Sequence, residues 1–331
     1  MSAIQTDPTA AVEQAISDEP SKAIIGRSPW QLFWRRFKRD RMAFVGLGVI
    51  LTLIILAIIA PLFAKITGHA PTDQFGSGPG RMTDSYGLPL GPNSKFWFGA
   101  DGPLGRDLFV RIIYGIRTTL TVALVATGIS VVIGVTLGML AGFFRGAVDT
   151  LISRLIDIIL SMPLLLFAIG IVAACSVSKE GCLWGVIKPG MPVVIAVIAF
   201  FSWPYIARIV RGSTLSIREK EYVEAARSLG ATNRRIMFRE VLPNLMAPIL
   251  VYSTLIIPAN ILFEAYLSFL GLGLPSRIPS WGRMLSDATR FYDVAWWVMV
   301  FPGFFLFLTT LAFNLLGDGL RDALDPKTGR G

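Results

Sequence analysis

The sequence predicts an all-α polytopic membrane protein with six transmembrane helices, and composition and tract length carry that prediction. Apolar side chains make up 53% of the 331 residues, charged side chains only 16%, and the mean hydropathy is +0.61. Several uncharged tracts reach the roughly 20 residues that a helix needs to span the hydrocarbon core of a bilayer. The predicted spans are residues 42–64, 118–144, 158–178, 189–207, 241–263 and 294–317.

The chain has a net charge of +9, and the positions of its basic residues indicate how it is oriented in the membrane. Basic residues lie beside the apolar tracts, which favours a role in membrane topology over nucleic-acid binding. With the N-terminus inside, 20 of the 31 Lys and Arg residues fall in predicted cytoplasmic segments and 11 in external ones. The positive-inside rule therefore predicts that both termini are cytoplasmic, with the lipid bilayer as a partner and no nucleic acid.

Few side chains could hold a metal ion. The chain contains two cysteines and one histidine, whereas a zinc site built from side chains needs three or four ligands. We therefore expect no metal site, and we interpret His69 as an ordinary loop residue. Cys175 and Cys182 flank a predicted external loop, where they are either joined by a disulfide or present as two free thiols.

Residues 1–41 are predicted to form a cytoplasmic N-terminal tail before the first span, residues 42–64. Polar, small and Pro-interrupted composition predicts disorder for residues 1–28, and no apolar core of signal-peptide length occurs among the first forty. Residues 29–41 combine aromatic and basic side chains. This mixture suits a short helix at the cytoplasmic headgroups or, equally, a simple stop signal before the first span.

The segment between the first two spans, residues 65–116, is rich in Gly and Pro. Such backbone cannot face lipid with its polar groups unpaired, so it predicts an irregular extracytoplasmic lobe. Residues 107–117 are predicted to be helical and to lead into the second span. The rest of the chain is predicted to be a five-helix core, residues 117–317, and a cytoplasmic C-terminal tail, residues 318–331.

Within the second span, Gly134, Gly138 and Gly142 recur at every fourth residue. Small residues at this spacing let two helix backbones approach closely in lipid, either within the chain or with a partner chain. Prolines also interrupt the predicted spans and predict kinks, because proline removes a helical hydrogen bond. They are Pro163, Pro192, Pro204, Pro248, Pro258 and Pro302.

The polar segment 216–243 lies between two apolar tracts and is predicted to be a cytoplasmic loop with a helical pattern. Ser216 and Glu219 have the spacing of a capping box, which would begin a first helix. Gly230 is predicted to end that helix in a left-handed conformation. Its predicted apolar face consists of Ile217, Val223, Ala226 and Leu229.

A second short helix is predicted to begin at Thr232, which can act as its N-cap, and to be limited by Pro243. Two amphipathic helices joined at a glycine would offer a compact apolar face with a basic rim. That surface suits docking into the groove of a partner protein.

The motif Glu-Ala-Ala at 224–226, followed by Gly230 and by Leu-Pro at 242–243, resembles the EAA loop of binding-protein-dependent ABC importer permeases. Glu240 stands where the family pattern has an aliphatic residue, which predicts a shifted register for the second helix. Further segments resemble the second (C-type) permease subunit of the dipeptide/oligopeptide branch, and the resemblance covers about residues 95–326. These segments are residues 264–275, 279–288 and 301–326.

This resemblance implies a type I ABC importer permease architecture, in which the loop is a coupling helix seated on an ATPase subunit. It implies a multi-pass protein of the bacterial cytoplasmic membrane that carries dipeptides or oligopeptides or, alternatively, nickel chelates or another small peptide-like solute. The implied partners are a homologous permease subunit, two ABC ATPase subunits that bind ATP and Mg, and an extracytoplasmic substrate-binding protein. The external lobe would either contact the binding protein or act only as a structural cap on the helix bundle. The implied ATPase-coupling residues are Glu221, Glu224, Ala225, Ala226, Leu229, Gly230, Arg234, Arg235, Leu242 and Pro243.

The chain is expected not to be an enzyme and to bind no cofactor of its own. It has no G-x-x-x-x-G-K-[ST] phosphate loop and no catalytic constellation within the spans. A secondary transporter or channel, the competing class, would more often carry ionisable residues at mid-span, and the predicted spans have none. Glu264, near an external boundary, is interpreted as half of an ion pair with Arg277 or Arg283 or, less favoured, as a contact for a substrate amino terminus.

Overall fold

The computed structural model describes residues 29–78, 80–177, 182 and 185–324. Within these residues the protein is helical, and β-pairing is limited to isolated bridges. The disorder predicted for residues 1–28 and the end of the predicted C-terminal tail lie outside the described residues. The helices are α1 (Pro29–Phe37), α2 (Arg41–Thr67), α3 (Leu108–Phe144), α4 (Gly146–Ser161), α5 (Leu164–Val177), α6 (Met191–Arg218), α7 (Glu221–Ser228), α8 (Asn233–Ile236), α9 (Leu242–Phe269), α10 (Trp281–Ala288) and α11 (Trp297–Leu324).

Among the described residues, five helical stretches are long and apolar enough to cross a membrane, namely α2, α3, α6, the run from α8 through α9, and α11. A sixth crossing exists only if α4 and α5 are one broken span, because they meet at an angle of 88°. The all-helical prediction with six spans is confirmed in this form. The kink predicted at Pro163 is confirmed as this break, but the predicted third span, residues 158–178, is wrong in its start, because α4 before the break begins at Gly146 and α5 after it begins at Leu164.

The break has a clear cause in the sequence. Pro163 has no backbone N–H to donate, and its ring disfavours a helical conformation in Met162, which is extended here. The residues before it, which the sequence interpretation treated as a cytoplasmic connection, form α4 instead. Their charges do not mark a loop, because Asp149 and Asp157 are paired with arginines of α6.

Several helices continue well past the uncharged tracts. Helix α6 runs to Arg218, so Ser216 lies inside it and the predicted capping box is wrong. Glu219 ends α6, and its carboxylate pairs with Arg145 at 2.5 Å. Helix α7 starts after Lys220 without a side-chain cap. By contrast, the helix predicted over residues 107–117 is confirmed as the first turns of α3.

The most extensive helix contact among the described residues joins α3 and α6. Gly134, Gly138 and Gly142 face α6, and an added Cβ at Gly142 would lie 2.7 Å from Thr214 Cβ and 2.8 Å from the Arg211 carbonyl oxygen. An added Cβ at Gly134 would meet Ile206 at 2.8 Å in the same way. Glycine is therefore required for this backbone separation.

Helix α1 packs beneath the ends of α2 and α11. Phe33 and Phe37 are buried in a small cluster with Ala43 and Ala323. Asp40 ends the short turn after α1 and caps α2, its carboxylate accepting hydrogen bonds from two backbone N–H groups at 2.9 and 3.1 Å. An amphipathic helix therefore occupies part of the predicted 29–41 segment, while its place at the headgroups stays a prediction.

The segment from Gly68 to Asp107 is irregular, as predicted, but His69 is not an ordinary loop residue. Its Nδ1 lies 2.7 Å from Asp107 Oδ2, and its ring stacks on Phe96 at 4.4 Å. The other carboxylate oxygen of Asp107 caps α3 by accepting from the Val110 N–H at 3.2 Å. His69 therefore fixes the lobe to the start of α3.

A second buried cluster ties the lobe to the connection between α9 and α10. Arg106 and Arg111 both approach the Asp101 carboxylate, at 2.9 and 2.7 Å. Both guanidinium groups also donate to the Ser276 carbonyl oxygen, at 3.1 and 3.2 Å. Because all three charged side chains are almost completely buried, this cluster is a structural connection between the lobe and the α9–α10 segment.

Of the two alternatives for the cysteines, the structure has the disulfide. Cys175 at the end of α5 is bonded to Cys182. Cys182 also exchanges backbone hydrogen bonds with Ile187, at 2.9 and 3.2 Å. The return of the chain toward α6 is thereby fixed at one point.

Candidate functional site

We call residues 219–241, the segment between α6 and α9, the elbow unit. Its chain direction reverses at a glycine. Helix α7 ends at Ser228 with Leu229 as its C-cap, and Gly230 follows with φ = +79°, a left-handed conformation that only glycine adopts at little cost. Thr232 then caps α8 by accepting a hydrogen bond from the Arg235 N–H at 3.4 Å. The predicted elbow and the predicted cap are both confirmed.

The second half of the elbow unit is not the separate helix that was predicted. Helix α8 continues through a π-helical turn, Met237–Val241, directly into α9. A π turn adds a residue and so shifts the register of the helix after it. Pro243 does not end a helix, because it lies in the first turn of α9, where a missing N–H is tolerated.

The inner face of the elbow unit is packed on the ends of α3 and α6. Val223, Ile236 and Val241 are fully buried, in a cluster with Phe143 of α3 and Val210 of α6. The apolar face predicted to dock into a partner is therefore divided. Val223 packs within the chain instead, whereas Leu229 is 88% exposed, because it lies beyond the last turn of α7, where the chain reverses. The buried face is therefore shorter than the helical pattern predicts.

The outer face carries most of the residues that the sequence interpretation assigned to coupling. Those exposed are Glu221, Glu224, Ala225, Leu229, Gly230, Arg234, Arg235 and Pro243, whereas Ala226 and Leu242 are partly buried. In the part of the chain that the structure describes, none of the four charged side chains in this set forms an ion pair. They are therefore available to a partner.

Two further residues belong to this outer face and were missed. Phe238 is 53% exposed and lies with Arg239 in a shallow basic hollow shared with Thr232, Arg234 and Arg235. The sequence signal was present, since an exposed aromatic residue between arginines on a helix is unusual for a merely solvated face.

Ion pairs connect α4 to α6 in a line that ends at the elbow unit. Asp149 accepts from Arg211 at 2.5 and 2.9 Å, and Asp157 accepts from Arg208 at 2.8 Å. Arg145, just before α4, pairs with Glu219 at 2.5 Å. Together these pairs hold α4 along the C-terminal half of α6.

A cleft of about 390 Å³ opens between α6 and α9, above the elbow unit. Its floor is polar, because Ser202 donates to Asn260 Oδ1 at 2.7 Å, and Asn260 Nδ2 donates to Thr127 at 2.8 Å. Its other lining residues are apolar or aromatic; they are Leu164, Phe201, Tyr205, Ile206, Ile209, Tyr252, Leu255, Ile256, Ala259 and Phe263. We call it the α6–α9 cleft.

The ion pair predicted for Glu264 is wrong. Its carboxylate is completely buried and is met by hydroxyl groups of Ser268 at 2.7 Å, Thr119 at 3.4 Å and Ser280. Arg283 pairs instead with Asp287, one turn along α10, at 3.2 Å. Ser280 caps α10, which directs a hydroxyl rather than a cation toward Glu264. Its carboxylate is thus enclosed and does not line the α6–α9 cleft.

Comparison with known families agrees with this architecture. The family "Binding-protein-dependent transport system inner membrane component" matches residues 134–330, more than half of the chain. The chain belongs to this family. A second model, the "N-terminal TM domain of oligopeptide transport permease C", matches residues 28–78. The chain is therefore a permease subunit of an ABC importer, embedded in the membrane by several spans.

Relatives match over nearly the whole length of this permease. The "Dipeptide transport system permease protein DppC" of Alkalihalophilus pseudofirmus is 40% identical over 311 residues, 94% of each chain. The "Glutathione transport system permease protein GsiD" of Pectobacterium atrosepticum is 40% identical, covering 91% of this chain and 92% of the relative. The GsiD protein of Escherichia coli O6:K15:H31 is 41% identical over 91% of each chain.

Solved structures show the same fold at lower identity. An inward-facing structure of the MetNI methionine ABC transporter aligns with a TM-score of 0.53 and 21% identity, covering 66% of this permease and 96% of the matched chain. A second crystal form of the same transporter gives a TM-score of 0.51, with 64% and 97% covered. The predicted type I importer permease architecture is thereby confirmed.

Proposed function

We propose that this permease imports short peptides or peptide-like solutes in an ATP-driven complex, in which it forms half of the translocation path. Its partners are a homologous permease subunit, two ABC ATPase subunits and an extracytoplasmic substrate-binding protein. ATP and Mg are bound by the ATPases, and this chain has no ATPase site or cofactor of its own. The support is the similarity to relatives named for dipeptide and glutathione transport.

We place the protein in the bacterial cytoplasmic membrane with both termini inside. This orientation puts the elbow unit on the same side as the ATPases, and it puts the irregular lobe before α3 on the side of the binding protein. The distribution of Lys and Arg supports it.

One observation carries the coupling role. The elbow unit presents unpaired charges of both signs, Glu221 and Glu224 on α7 and Arg234 and Arg235 around α8, together with the exposed side chain of Leu229. Exposed Leu229 and Phe238, together with charged side chains that form no ion pair within the described residues, have the mixed apolar and arginine-rich composition of a protein-binding patch. The unit is also continuous with α9, so a force on this surface reaches a membrane-spanning helix directly.

The test is uptake by the complete transporter in sealed vesicles. The permease is co-purified with its partner permease, ATPases and binding protein, and uptake of radiolabelled dipeptides, glutathione and a nickel chelate is measured with and without ATP. We expect ATP-dependent uptake of at least one peptide, competed by unlabelled peptide. Uptake of the nickel chelate alone would contradict the proposed substrate class, and uptake independent of ATP would contradict the coupling role.

A further inference from the structure

The α6–α9 cleft lies between the two helices that flank the elbow unit. Helix α6 ends at Arg218, directly before the unit, and α9 begins at Leu242, directly after it. The connection to α6 passes through two non-helical residues, whereas the connection to α9 is helical throughout. A displacement of the elbow unit is therefore passed to one wall of the cleft more directly than to the other.

The cleft is chemically unusual for a gap between membrane helices. No charged side chain lines it, yet its floor is a buried amide and a buried hydroxyl, Asn260 and Ser202. At its mouth stand two aromatic residues with hydroxyl groups, Tyr205 at 55% exposure and Tyr252 at 38%. A gap filled only by lipid chains would not need polar groups at its floor.

The hydrogen bonds at the floor leave capacity unused. The side-chain amide of Asn260 has two donors and an oxygen with two lone pairs, and the structure gives it one donated bond, to Thr127, and one accepted bond, from Ser202. One N–H and one lone pair remain. A peptide group, which offers one carbonyl oxygen and one N–H, is the complementary partner.

The size of the cleft also suits a short peptide. The lining residues of α9 run from Tyr252 to Phe263, which corresponds to about 16 Å along a helix axis at 1.5 Å per residue. The volume of about 390 Å³ falls within the range of small-molecule sites.

We propose that the α6–α9 cleft is the surface this permease contributes to the solute path, and that it contacts the peptide backbone rather than the charged termini. This inference rests on the proposed function, because it takes a short peptide as the solute. A short peptide is a zwitterion, and a cleft without charged side chains binds it weakly. Weak binding suits a path, because the solute must be able to leave it again. Discrimination by net charge is therefore absent from this half of the path.

The experiment introduces charge into the cleft and asks which peptides are affected. Tyr252→Lys and Tyr252→Glu are made in the complete transporter, and vesicle uptake is compared for cationic, neutral and anionic dipeptides. The Lys variant should lower the ratio of cationic to anionic uptake about tenfold, and the Glu variant should raise it about as much, because like charges repel across a short distance. The matched control is Thr254→Lys and Thr254→Glu, on the same helix but outside the cleft lining.

Two outcomes would overturn the inference. One is that both Tyr252 variants change uptake of all peptides equally, or discriminate no better than the Thr254 variants. The other is that Tyr252→Cys reacts with a membrane-soluble thiol reagent but not with a water-soluble one, which would make the cleft a lipid groove. If the Tyr252 variants fail to assemble, the same substitutions at Tyr205 replace them.

Failure of the proposed function gives a different result. In that case the wild-type transporter takes up no peptide, while the water-soluble reagent still labels Tyr252→Cys and labelling changes with ATP. A labelled, ATP-sensitive cleft would support a solute path for another substrate.

Discussion

Helix α6 meets α3 and α9 in opposite ways. Toward α3, three glycines bring the two backbones together, and the α4 ion pairs reinforce the same side. Toward α9, the cleft separates part of the two helices, and the Ser202–Asn260 hydrogen bond connects them at its floor. The same helix thus has a close-packed face and a loosely packed face.

This difference indicates where the molecule can move. Close-packed interfaces are not continuously deformable, so α3, α4 and α6 are expected to move as one body. Helix α9 is held to that body by fewer direct contacts at the cleft, and it is continuous with the elbow unit. If ATP hydrolysis by a partner moves the elbow unit, as proposed, we expect the rearrangement at the α6–α9 contact.

The largest effect is expected from filling the close-packed face. In Gly138→Leu the new side chain would collide with the backbone of Ala207, which cannot give way as a side-chain end could. Overpacking typically costs about 1–3 kcal/mol, and a backbone contact should lie at the upper end. We expect a clearly lower apparent melting temperature of the purified complex and a lower yield.

The control is Gly128→Leu on the same helix. Nothing lies within 4 Å of a Cβ added at Gly128, which points away from α6. Its melting temperature should stay close to that of the wild type. Equal losses in the two variants would mean that α3 tolerates no large side chain anywhere, and the comparison between the two faces of α6 would lose its basis.

The next effect concerns the chain reversal inside the elbow unit, which connects α7 to α8. Gly230 has φ = +79° with open space around it, so Gly230→Val would act through backbone strain alone. A left-handed conformation costs an ordinary residue roughly 1–2 kcal/mol and a β-branched one more. We expect weaker assembly and loss of ATP-driven uptake, measured in the vesicle assay.

Two variants sharpen this result. Gly230→Asn should keep part of the uptake, because asparagine tolerates the left-handed region better than other residues. Gly212→Val, at an exposed helical position of α6 with no atom within 4 Å of its Cβ, should have little effect. Full uptake by Gly230→Val would contradict the coupling role of the elbow unit.

The two faces of α6 also differ in how well the sequence predicted them. The close-packed face was predictable from the small residues at every fourth position of α3, which is a strong local pattern. The cleft was not, because its lining residues on α6 and α9 are more than forty positions apart in the sequence, and because it depends on a helix angle that no local pattern encodes. Asn260, a lone amide in an apolar tract, was the available signal, and a search limited to ionisable residues missed it.

The elbow unit shows the same division. Gly230 and Thr232 were predicted because backbone conformation and capping are local properties. The division of the apolar face was not predicted, since Val223 is buried by the ends of α3 and α6, whereas Leu229 lies beyond the last turn of α7. Helix α4 was missed for a related reason, because its charges, which appear to mark a loop, are paired with arginines of α6.

The smallest effect is expected along the α4–α6 ion pairs, and it tests how far the rigid body extends. Asp149 and Arg211 form a two-point contact that is mostly buried, whereas Asp157 and Arg208 are each more than half exposed. Exposed pairs contribute about 0–1 kcal/mol, and a two-point geometry favours the upper end of that range. Double-mutant cycles with Asp149→Asn and Arg211→Gln, against Asp157→Asn and Arg208→Gln, should therefore show non-additive shifts in melting temperature only for the first pair. Additive shifts for both pairs would mean that only the buried apolar face of α4 holds it in place, through Ile152, Ile156 and Ile159. The charges would then serve only to keep α4 at the membrane surface.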